Sequence, residues 1–154
     1  MIMSPFGLLP LLLYAFPQVV SVSLLEGNAL NVEEKARIHR AQSIDDRIKV
    51  YHAASQRMQQ SVEAAVSNND FSGAPDALKL WVALLSGSLE DIEVNLKANK
   101  KSKALIRYEI QVRKANAAFR GCKAKAPVDQ QDEFDAQIAG AEKIRARLVD
   151  IIFR

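Results

Sequence analysis

The 154-residue sequence predicts an all-α fold: an antiparallel up-down-up-down four-helix bundle preceded by an apolar, signal-like N-terminal segment. Three observations carry this. After Glu26 the apolar residues recur at spacings of three and four, the period of a helix face, with no strand-like alternation. Aromatic residues make up only 6% of the chain, while Ala, Leu, Lys, Arg, Glu and Gln are abundant, a mixture that favours helix over sheet. Residues 1–25 hold no charged side chain at all. The apolar fraction of 49% and charged fraction of 25% are globular values, which excludes wholesale disorder. The length suits one domain. A single Cys excludes a disulfide framework, paired-cysteine zinc sites and c-type haem attachment.

The N-terminal segment comes first. Phe6 to Leu25 is almost wholly apolar, and the charged, helical pattern begins abruptly at Glu26. This reads as an export signal, with small residues at Ser21 and Ser23 or at Gly27 and Ala29 offering cleavage between Ser23 and Ala29. It departs from the usual pattern in carrying no early Lys or Arg, and Pro5, Pro10 and Pro17 interrupt it. The alternative is an uncleaved membrane anchor, because about 20 apolar residues suffice to span a bilayer. Residues 1–29 are therefore expected to be a signal peptide or anchor, and residues 30–154 a single helical-bundle domain. The expected location is periplasmic or secreted, or else membrane-anchored, with membrane contact through residues 5–25 if these are retained.

The first predicted helix runs from Val32 to Val66, with Ile44, Ile48, Tyr51, Ser55, Met58 and Val62 on one stripe. It is long, and Ser43 with Asp46 resembles a capping box that offers a break near Gln42–Ser43. A turn at residues 67–75 leads to a second helix starting at Pro75, with Leu78, Trp81, Leu85, Ser88 and Ile92 on its stripe, fading near Asn99. The third carries Leu105, Tyr108, Val112, Ala115, Phe119 and Cys122 and stops at Ala126-Pro127. The fourth starts near Val128–Asp129, where acidic residues favour a helix N-terminus, and presents Phe134, Ile138, Ala141 and Leu148. Short connections imply that consecutive helices are antiparallel neighbours.

No catalytic motif emerges. Glu precedes neither His39 nor His52 by three residues, so the Glu-x-x-His of di-iron bundles is missing. No nucleophile elbow, phosphate loop or His-Glu-x-x-His occurs. Cys122 falls on the apolar stripe and is expected to be a buried small hydrophobe. The carboxylates of Asp45-Asp46, Glu90-Asp91-x-Glu93 and Asp129–Asp135 are expected to be solvated surface charges. No catalytic, cofactor or metal residue is assigned.

Charge is the feature that stands out. Lys97 to Lys125 contains ten basic residues and one acidic residue, Glu109, whereas residues 31–96 and 126–154 are net acidic. On a helical wheel Lys100, Lys103, Arg107, Arg113, Lys114 and Arg120 lie opposite the Leu105–Cys122 stripe, as a basic ridge. The ridge is either a solvated face or a binding site for anionic lipid headgroups, polymers or an acidic partner. It lacks the interleaved aromatics that stack single-stranded bases, and no helix-turn-helix or finger spacing is present, so nucleic acid is not the expected partner. Two expectations result: an exported helical protein with a non-enzymatic structural or interaction role, and, alternatively, a binder of anionic surfaces or polymers through the third helix.

Overall fold

The computed structural model describes residues 27–154. The segment read as an export signal or anchor falls, up to residue 26, outside the described residues. Among the described residues there are five helices and no strand: α1 (Val32–Arg40), α2 (Ile44–Ser67), α3 (Gly73–Asn95), α4 (Lys103–Lys125) and α5 (Val128–Ile152). They pack as a bundle. None is long and apolar enough to cross a membrane.

The long first helix divides where the capping pattern offered a break. Ser43 is an extended N-cap whose hydroxyl accepts from the Asp46 N–H at 3.2 Å and donates to the Asp46 carboxylate at 2.8 Å. The short α1 has its own box. Asn31 accepts from the Glu34 N–H, and the Glu34 side chain accepts from the Asn31 N–H. Glu34 is then gripped by Arg57 of α2 through two 2.8 Å contacts, and Arg57 also reaches the Ala29 carbonyl. Ala29 and Leu30 are buried in the core beside this clasp.

The turn after α2 is built on Asn69, whose φ of 57° lies in the left-handed region that Asn tolerates better than most residues. The Asp70 N–H returns to the Ala65 carbonyl and the Asn69 N–H to that of Val66, which closes the helix end. Asp70 then accepts from the Gly73 N–H, so α3 starts two residues before the expected Pro75. α3 also stops at Asn95, short of the expected Asn99, because Leu96 turns extended. Asn99 adopts φ 65° within the connection, and Ser102 caps α4 by accepting from the Leu105 N–H.

Cross-helix contacts fix the directions. Arg47 meets Asp91 and Ser55 meets Trp81, so α2 and α3 are antiparallel. Glu109 meets Arg145 and Lys123 meets Asp135, so α4 and α5 are antiparallel. Between the two hairpins the order is parallel. Asp45 meets Ser102 and Ser55 meets Gln111 along α2 and α4, while Lys79 meets Glu133 and Glu93 meets Arg147 along α3 and α5. The expectation that all consecutive helices are neighbours therefore needs correcting. Residues 96–102 are long enough to carry the chain across the bundle diagonal, so α3 and α4 face each other only across the core.

The predicted stripes fill that core. Trp81 is fully buried and stacks edge-on against Phe119 with ring centroids 4.8 Å apart. Tyr51 and Tyr108 lie 6.5 Å apart. Their hydroxyls are satisfied inside the core: Tyr51 donates to Asp91 at 2.6 Å, and Tyr108 shares a hydrogen bond with Ser88 at 2.8 Å. Burial pushes both phenols far above their ordinary range, so they stay protonated. Trp81 Nε1 donates to Ser55 Oγ at 2.7 Å, and Ser55 in turn donates to Gln111.

One sequence expectation fails inside this core. Asp91 is not a solvated surface carboxylate. It is 1% exposed and accepts from Arg47 Nε at 2.8 Å and Nη2 at 3.0 Å. The spacing explains the error, since Asp91 sits next to Ile92 on the α3 stripe and the tertiary partner Arg47, itself 2% exposed, comes from another helix. Glu109 is likewise buried and paired with Arg145 at 2.8 Å.

Candidate anion-binding groove

The six ridge residues are all exposed, but the structure does not hold them as one ridge. Lys100 precedes α4 and lies in the connecting loop, where it pairs with Asp45 at 3.4 Å. At about 100° per residue, Lys103, Arg107 and Lys114 share one line along α4, and Arg113 and Arg120 lie about 100–120° around the helix from it. Arg113 and Arg120 fall on the α5 side, where the charge of Arg120 reaches Glu142. The wheel placed all six opposite the apolar stripe because a face seen in one dimension hides which neighbour flanks each edge.

The Lys103, Arg107 and Lys114 line borders α2. Because α2 and α4 run parallel, His52 and Lys49 of α2 come alongside. Two adjoining crevices of about 470 and 230 Å³ result. The first is lined by Lys49, His52, Lys101, Lys103, Arg107 and Asp45, and the second by His52, Gln56, Arg107, Ile110, Gln111 and Lys114. His52 and Arg107 belong to both, so the crevices read as one groove. Among the described residues Asp45 is the single carboxylate in its lining, and it is already held by the Ser102 hydroxyl at 2.7 Å and by Lys100.

His52 is half-buried on the groove floor. Burial, together with the nearby positive charge of Arg107, holds its imidazole below the ordinary histidine range. The groove thus offers primary ammonium groups, one guanidinium and an imidazole toward a common space. That donor set suits sulfate, phosphate or carboxylate oxygens, with Arg107 able to bind two oxygens at once.

Lys49, His52 and Lys101 were not assigned to a site from the sequence. No local signal marks them, because their approach depends on the parallel pairing of two helices whose facing residues are more than fifty positions apart in sequence. The remaining sequence candidates lie elsewhere. His39 is exposed on α1. Cys122 is buried on the α4 stripe, and burial pushes its thiol up, away from the reactive thiolate. Lys123 pairs with Asp135 at 2.6 Å.

No family model, no curated protein and no solved structure matches this chain.

Proposed function

We propose that the chain is a non-enzymatic interaction protein that binds an anionic surface or polymer along the groove between α2 and α4. In this reading α2 to α5 are the up-down-up-down four-helix bundle that holds the groove rigid, with α1 laid on α2. The apolar leader would export or anchor the bundle; N-terminal sequencing of the native protein after cell fractionation tests that part.

The observation that supports the binding role is the convergence of Lys101, Lys103, Arg107 and Lys114 on one groove beside His52, with a single, already engaged carboxylate. Other surface cations, such as Lys79, Lys123, Arg145 and Arg147, lie in ion pairs. A line of cations turned toward one space instead keeps its field for an external anion. The experiment is retention on immobilised heparin in a salt gradient. The native protein is expected to elute late, and Lys103→Glu/Arg107→Glu/Lys114→Glu to elute near the void. All three side chains are exposed, so the variant should melt like the native protein. Equal retention of the two proteins would remove the groove from the function.

A further inference from the structure

The α3–α4 connection and the last turn of α5 meet at one end of the bundle. A crevice of about 550 Å³ opens there, its apolar wall formed by Ile92, Leu96, Ile151, Ile152 and Phe153. A smaller crevice of about 270 Å³, walled by Leu105, Ile106, Ile152 and Phe153, adjoins it. Phe153 is 82% exposed and Ile106 41% exposed. Around them stand Lys97, Lys100, Lys101 and Arg154, all exposed. The acidic groups nearby are engaged: Glu93 with Arg147 at 2.8 Å, Asp150 with Arg147 at 3.8 Å, and Asp45 with Lys100. Lys101 lines both this end and the α2/α4 groove, so the two surfaces are continuous.

An exposed aromatic ringed by cations presents two demands. A soluble polyanion meets the charge and leaves Phe153 and Ile106 in water. An anionic bilayer meets both, with headgroups against the lysines and the hydrocarbon boundary against the apolar side chains. We infer that the anionic partner is the surface of an anionic lipid bilayer, on which the bundle stands end-on with Phe153 and Ile106 entering the headgroup–acyl boundary and Lys97, Lys101 and Arg154 against the headgroups. This rests on the anion-binding reading above, to which the bundle end is joined through Lys101, and adds the source of the anion.

The test is co-sedimentation with vesicles of phosphatidylcholine alone and of phosphatidylcholine mixed with phosphatidylglycerol, run beside heparin retention. The native protein is expected on the anionic vesicles and not on the neutral ones, with binding that falls as salt rises. Phe153→Ser should weaken partitioning onto anionic vesicles by about tenfold or more, from the lost apolar burial, and leave heparin retention unchanged. Ile106→Ser should act in the same direction, and far-UV circular dichroism checks that both variants fold. Unchanged vesicle binding of both variants overturns the end-on docking. Native protein retained on heparin but absent from anionic vesicles also overturns it, and leaves the anion-binding reading standing. Native protein that binds neither overturns both.

Discussion

Removing the Asp91 carboxylate should be among the most damaging changes available to this fold. Asp91 accepts from both Nε and Nη2 of Arg47, from the Tyr51 hydroxyl and from Asn95 Nδ2, all while 1% exposed. Asp91→Ala takes the acceptor from a guanidinium that is itself 2% exposed. Removing one partner of a buried ion pair costs about 3–5 kcal/mol, because the desolvated charge stays behind. That is a large part of the about 5–15 kcal/mol by which a domain is stable. With a urea slope of about 1–3 kcal/mol per molar, the unfolding midpoint should fall by at least about 1 M. Urea titration at neutral pH, followed by circular dichroism, measures it. The companion variant Arg47→Met/Asp91→Leu/Tyr51→Phe removes the charges and the phenol together. It should cost far less than Asp91→Ala, because replacing a buried pair by apolar groups of similar volume is often near neutral. A loss under about 1 kcal/mol for Asp91→Ala, or a larger loss for the triple variant, would contradict a buried, mutually dependent Arg47–Asp91 pair.

Other consequences are as direct. Trp81→Ala should cost about 3–5 kcal/mol in the same assay, since it empties a fully buried site against Phe119 and removes the hydrogen bond that Ser55 Oγ accepts from the indole. A chain starting at Gly27 should unfold cooperatively, whereas one starting at Asn31 should lose about 2–3 kcal/mol through the missing Leu30 burial, read as a shift in melting temperature. His52 has its folded pKa depressed below 6.5 by burial and by Arg107, so the unfolded chain takes up the proton first as pH falls. The stability this group contributes is present above 6.5 and is lost as the pH drops from there through the folded pKa. His52→Gln should flatten that part of the stability–pH curve, and an anion seated in the groove should move the His52 titration upward in a proton NMR experiment.

The helices themselves were legible because period and punctuation agree. The Leu105–Cys122 stripe, Ser43 before Asp46 and Pro127 before an acidic turn each mark structure through short-range chemistry, and the core forms on the marked residues. What the sequence hid are the relations between helices. Whether the chain turns back beside α3 or crosses the diagonal depends on seven connecting residues whose composition looks like any polar loop. That choice decides that α2, not α3, flanks the basic side of α4. His52 and Lys49 therefore join the groove, and Arg113 and Arg120 fall away toward α5. Asp91 was hidden for a related reason. A carboxylate on a helix is read as solvated unless its partner is visible, and Arg47 is 44 residues distant.

The groove is distinguished from the rest of the basic surface by which cations bind. Affinity for a heparin fragment should be measured calorimetrically over a range of salt concentrations for the native protein, for Lys103→Glu/Arg107→Glu and for Arg113→Glu/Arg120→Glu. Both variants change the net charge equally, so a general charge effect weakens them alike. The account predicts that the first variant loses most of the affinity and the steepness of its salt dependence, while the second stays close to the native protein. Equal losses in the two variants, or a greater loss in the second, would contradict an anion site in the groove between α2 and α4.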